Sequence, residues 1–235
     1  MTRNEELVEL QQSGRLLTGI SHDLNNAIAG ILGYVHLLER EKDDSRRHQY
    51  TQHVKRQAEI CRVTLDNLQL LGSTIVPRRT RLSVSDLVNS IVCLVSEELR
   101  ALNIGIVSDL PEGLPPIDAD AHLVRRAVNA LLSNAQKSIT GSGQSGTITV
   151  SALTDTHSVV IAVTDSGPGL PEHLDGETVF SATANSKKRG AGIGLGLPMA
   201  LAIARAHGGD VWLEKSSPVG CSFAVSLPIA RLDLD

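Results

Sequence analysis

The sequence predicts an all-helical N-terminal part followed by an α/β sandwich, and three patterns carry that prediction. Leu7, Leu10, Leu17, Leu24, Ile28, Ile31, Val35 and Leu38 recur at alternating three and four residue spacing, with Gly14 and Ser21 at the remaining seam positions. Such a narrow stripe suits a coiled-coil seam better than a helix lying on a sheet. Val54, Ala58, Cys61, Leu65 and Leu68 repeat it in a second helix after a polar break at Glu39 to Arg47. Beyond Thr80 the texture changes to short helices mixed with alternating strands.

Two helices joined by a short charged turn predict an antiparallel hairpin. One hairpin has little core of its own, so the expected arrangement is a homodimer whose two hairpins make a four-helix bundle. Gly72 to Thr80, with Pro77 and an Arg pair, reads as a connection. The expected organisation is thus residues 1–75 as a helical-hairpin domain, 76–80 as linker and 81–235 as an α/β domain. Within the latter, helices are expected at Ser85 to Leu102 and Asp120 to Ile139, and from Pro198 to the Gly208-Gly209 pair. Strands are expected at Ile104 to Ser108, in a hairpin around Ile148–Ala152 and Val159–Val163, and at Val211–Leu213 and Cys221–Leu227.

Composition narrows the function classes. With 235 residues, 2% aromatics and a net charge of −4, the chain builds its core from aliphatic residues and carries no basic footprint for nucleic acid. Cys61, Cys93 and Cys221 are too scattered for a disulfide framework or a metal set, which fits a reducing cytoplasm. The start of the chain is charged and polar. Its most apolar run, Gly190 to Ala204, is shorter than the ~20 residues of a spanning helix. A soluble, cytoplasmic chain with no membrane insertion of its own is expected.

Candidate chemistry lies in four segments. Asp165-Ser166-Gly167-Pro168-Gly169 places a carboxylate at a strand end, opening into a glycine turn. It is either a plain turn or an acceptor for an exocyclic amine, with Gly167 and Gly169 letting a ligand approach the backbone. The run Gly190 to Leu197, with Gly192, Gly194 and Gly196, leads into a helix. It is either a hinge or a set of N–H groups for phosphates. Asn134 and Lys137 share a helical face. An amide oxygen there can ligate Mg²⁺ and an ammonium can meet phosphate, although solvated residues look the same. His22, in Ser21-His22-Asp23-Leu24-Asn25-Asn26, lies one residue past a seam position, at the bundle's outer edge.

The order of these segments resembles the sensor histidine kinases of two-component systems: a phosphoacceptor and dimerisation domain, then an ATP-binding domain of the GHKL type. Leu131-Leu132-Ser133-Asn134-Ala135 and Ala206-His207-Gly208-Gly209-Asp210-Val211-Trp212 are similar to that family as well. The resemblance implies that His22 takes the γ-phosphoryl group of Mg-ATP, aided by Asp23 as general base, and passes it to an aspartate of a response regulator receiver domain. It also implies that Asp165 reads the adenine amine, that Asn134 holds Mg²⁺ and that Lys137 contacts phosphate. A mobile lid between Leu170 and Gly190 is implied too, from which Lys187 either reaches the phosphates or stays solvated. Asp23 followed three residues later by Asn26 matches a pattern that supports dephosphorylation of the regulator. The input is expected from a separate sensor protein or a missing sensor module. The alternatives are a phosphotransferase that relays phosphate without ATP and a dimeric regulator-binding scaffold. Three positions depart from the family pattern: Ala27 where a kinking proline is frequent, Ala130 where an Asn is frequent, and a lid retaining only Phe180 of a phenylalanine-rich stretch.

Overall fold

The computed structural model describes residues 3–171, 174, 176, 178–180 and 194–230, the side chains of 3–17 and 23 excepted. The chain forms two compact units, one containing Met1–Ser73 and the other Thr74–Ser181 and Gly196–Asp235.

The first unit is a hairpin of helix α1 (Arg3–Arg40) and helix α2 (Asp44–Leu71). The charged stretch expected to break the helices shrinks to three residues, because its side chains cap both ends. Asp43 accepts the N–H of Arg46 at 2.9 Å as N-cap of α2. Arg47 Nη1 donates to the carbonyls of Leu38 and Glu41, both at 2.9 Å, and so satisfies the end of α1. Glu41 folds back onto the N–H groups of Asp43 and Lys42, which hold its carboxyl below the usual range. The helix α1 runs unbroken through Ala27, as expected of a sequence without the kinking proline.

Between the helices Ile20, Ala27 and Thr64 are buried, and the side chain of Gln57 closes over Gly30. Tyr34 stacks on His53 with ring centroids 4.5 Å apart, and Tyr50 lies beside it. Part of the apolar stripe nevertheless stays uncovered: Ile28 is 46% exposed, Val35 37% and Leu65 53%. Seam residues before Thr18 lie outside the described side chains.

The second unit runs β1 (Thr80–Leu82), α3 (Val84–Ala101), β2 (Ile104–Asp109), β3 (Ile117–Ala119), α4 (Ala121–Ser142), β4 (Gly146–Thr154) and β5 (Ser158–Asp165). A 3-10 turn (Thr178–Phe180), α5 (Gly196–Ala206), β6 (Val211–Ser217) and β7 (Gly220–Pro228) complete it. The main sheet has the order β2-β4-β5-β7-β6, parallel only between β2 and β4. Register puts Val159, Ile161 and Val163 of β5 opposite Leu227, Val225 and Phe223 of β7, all buried on one face. Helices α3, α4 and α5 pack against the sheet strands and supply Ile91, Val128, Leu131, Ala135 and Ile203 to the core. The other face carries a smaller cluster of Val160, Ala162 and Ala224 against Trp212.

A two-stranded sheet of β1 and β3 was not foreseen, since three-residue strands show no alternation to read. Thr80, expected in the linker, is the first residue of β1. Preceding residues are also tied down, as Arg78 N–H donates to Asp120 Oδ2 (3.0 Å) and Arg79 Nη2 to the Ala206 carbonyl (3.1 Å). Asp120 is at the same time the N-cap of α4. Burial opposes its ionisation, but the N–H groups of Arg78, Leu123 and His122 outweigh that and hold its carboxyl below the usual range.

The Ala206–Trp212 motif works structurally here. Buried His207 bonds the Ile203 carbonyl through Nδ1 (2.8 Å) and the Asp120 N–H through Nε2 (3.0 Å). The carbonyl can only accept and the N–H can only donate, so the ring is the neutral Nδ1–H tautomer. At Gly209 a Cβ would overlap the Ser226 carbonyl oxygen of β7. A Gly209→Ala protein should therefore lose about 2 kcal/mol or more of stability, read as a shifted midpoint in urea unfolding. Among the described residues no helix is long and apolar enough to cross a membrane.

Candidate functional site

The hairpin carries its candidate chemistry on one turn of α1. His22 and Asn26 are both exposed, one turn apart, with Asn26 Nδ2 3.1 Å from His22 Nδ1. The contact controls which ring nitrogen has the lone pair. With its NH₂ toward Nδ1, the amide stabilises the Nε2–H tautomer. With its oxygen turned there, it stabilises Nδ1–H and leaves the lone pair on Nε2. The side chain of Asp23 lies outside the described residues.

In the second unit α4 and the end of β5 come together. Asp165, the last residue of β5, is 3% exposed, and its Oδ1 accepts the Gly167 N–H at 2.8 Å and the Ser138 hydroxyl at 3.0 Å. Burial pushes this carboxyl above the usual range, opposed by the Gly167 N–H, the Ser138 hydroxyl and the Cys221 N–H. A Cβ at residue 167 would overlap Ser138 Oγ and lie 2.6 Å from Asp165 Oδ1, so a side chain there would push the two apart. Gly169 follows with φ +75°, where a Cβ would strike the Ser217 carbonyl. The carboxylate, the turn and α4 thus form a cradle in which a ligand amine can meet an acceptor.

Asn134 lies one turn before Ser138 on α4 and is half-buried. Lys137 keeps exposed surface, yet the protein packed around its amine removes enough water to lower its pKa. An ammonium short of hydration gains from an incoming anion. Gly196 opens α5 next to Ala130 of α4, with 3.6 Å from an added Cβ to the alanine's Cβ. Gly194 has φ +70°. Gly192 and Lys187 lie outside the described residues, as does the lid segment from 181 to 190.

Ser138 was missed in the sequence reading. Its one signal was a hydroxyl four residues after Asn134, on the same helical face. Cys221 backs the carboxylate from β7, but burial and the Asp165 charge push its thiol up to about 12, so it is an inert neighbour.

Two family models match the chain: "His Kinase A (phospho-acceptor) domain" over residues 12–73, and "Histidine kinase-, DNA gyrase B-, and HSP90-like ATPase" over residues 119–231. The chain belongs to the sensor histidine kinase family. Among curated histidine kinase relatives, the adaptive-response sensory kinase SasA of Synechocystis sp. (strain ATCC 27184 / PCC 6803 / Kazusa) is 30% identical over 97% of this chain and 62% of its own length. The sensory histidine kinase/phosphatase NtrB of Vibrio alginolyticus is 29% identical over 94% of this chain and 64% of its own. This histidine kinase chain thus spans about three fifths of the SasA relative. Full-length ShkA, solved in complex with AMPPNP, shares the fold with a TM-score of 0.69 at 24% identity, over 93% of this chain and 46% of that one.

Proposed function

We propose that this histidine kinase phosphorylates itself on His22 with Mg-ATP and hands the phosphoryl group to an aspartate of a response regulator. The observation that carries the reading is the Asp165 cradle, a buried carboxylate aligned by Gly167 and Ser138, on the same chain as an exposed helical imidazole. Asp165 accepts the adenine amine, and Gly167 and Gly169 let the base lie against the backbone. Lys137 and the amides of the Gly192–Gly196 run face the phosphates, and Asn134 holds Mg²⁺, whose charge offsets that of the phosphates. Lys187 is assigned to the same phosphates from the lid.

At the acceptor, Asp23 takes up the proton from one nitrogen of the His22 ring as charge builds, and the lone pair on the other attacks phosphorus. Asn26 is suited to orient water when the regulator is dephosphorylated, and the relative NtrB carries kinase/phosphatase in its name. The helical hairpin is the phosphoacceptor and dimerisation domain, and the unit that contains β1 from Thr80 onward is the catalytic domain. The exposed Ile28, Val35 and Leu65 of the stripe, with Leu32, Ile60 and Val63 beside them, become the core of a homodimeric four-helix bundle.

Incubation with Mg-ATP labelled at the γ-phosphate should give an acid-labile, alkali-stable label that His22→Gln abolishes. A label of that kind persisting in the variant would place the acceptor elsewhere, and no label on the native chain would favour a relay or scaffold.

A further inference from the structure

Serine and threonine inside helices normally turn their hydroxyls back to a carbonyl of the preceding turn. Thr64, Ser90, Thr140 and Ser142 all do so here, at 2.7–2.9 Å. Ser138 does not. Its hydroxyl leaves α4 and reaches the carboxylate at the end of β5, across 27 residues of sequence. The turn after β5 leaves room for this bond only because residue 167 lacks a side chain.

The bond's direction follows from chemistry. An ionised carboxylate only accepts, so Ser138 donates, and the Gly167 N–H donates to the same oxygen. Oδ1 thereby has both its lone pairs engaged. The Cys221 N–H is a third donor facing the group. A carboxylate offers about four acceptor positions, so three donors leave roughly one, and with Oδ1 filled it lies on Oδ2. The group is thus pinned about its own bond and presents a single oriented acceptor to the cradle.

We propose that Ser138 is a positioning residue that sets the preference of this site for a 6-amino purine over a 6-oxo purine. The inference rests on the reading of Asp165 as the adenine acceptor. A 6-amino group donates into the remaining position, whereas a 6-oxo group sets a second acceptor against an anion and is rejected. Without the Ser138 hydroxyl, Oδ1 regains a lone pair and the carboxylate is held by two donors instead of three. The amine then meets an acceptor that is less firmly oriented. A 6-oxo purine never used that acceptor, so its affinity has nothing to lose.

The test is calorimetric titration of the full chain and of Ser138→Ala with ATP and with ITP, each with Mg²⁺. Alanine is the strongest helix former, so α4 keeps its form. ATP affinity should fall about tenfold while ITP affinity holds, so that the ATP-to-ITP ratio falls about tenfold. An unchanged ratio overturns the proposal, whether both nucleotides bind as before or both weaken together as a packing defect would cause. If the unaltered chain shows no preference for ATP over ITP, the assignment of Asp165 as adenine acceptor fails, and this inference with it.

Discussion

An Asp165→Asn protein should lose about a hundredfold in affinity for ATP, close to 2.7 kcal/mol, while remaining folded. The amide oxygen can still accept the Gly167 N–H and the Ser138 hydroxyl at the Oδ1 position, so the turn survives. Its NH₂ then stands where Oδ2 stood, and a donor faces the donor of the adenine amine. Leaving two buried donors opposed costs more than losing one hydrogen bond. Stability should change little, because relief from burying a charge offsets the clash of the new NH₂ with the Cys221 N–H. Burial raises the carboxyl's pKa above its unfolded value, so folding favours the protonated form. Stability is therefore drained as pH climbs from the unfolded to the folded pKa, and the full cost is present above both. A neutral amide is spared that cost. Calorimetry with Mg-ATP beside thermal unfolding at neutral pH checks both halves. Loss of binding with a collapsed melting temperature would mean that the aspartate is structural instead.

The largest stability effect is expected at Phe223. It is fully buried on β7, opposite Val163 of β5, and meets Phe180 edge-on with centroids 6.0 Å apart. Phe223→Ala removes a ring from a close-packed core and should cost about 3–5 kcal/mol. In a domain of this size that lowers the melting temperature by on the order of 10 °C. Differential scanning calorimetry reads it, and a shift under about 2 °C would show that the site collapses to fill the void.

The periodic parts of this fold were open to reading in one dimension. Seam spacing located both helices of the hairpin, since a residue's face on a helix follows from its number alone. Alternation at Ile148–Ala152 and Val159–Val163 located β4 and β5 for the same reason. Asp165, Gly167 and Asn134 were legible as candidates because strand end, turn and helix face are local properties. The helix boundaries at Glu39–Arg47 were not, because two cap networks extend both helices into a stretch whose composition reads as a break. Nor was the sheet of β1 and β3, whose short strands exist only because Leu82 and Ile117 find each other across the chain.

By itself, then, the sequence determined which residue types stand on which face of which element, and through their order the family. Tertiary structure alone decided what those residues do to one another. It turned the His207 motif into a clasp on Asp120, and the hydroxyl of Ser138 into a partner of a carboxylate 27 residues away. The physical reason is range. Helix and strand periodicity arises from bonds a few residues apart, whereas a hydrogen bond acts over about 3 Å of space and takes no account of sequence distance.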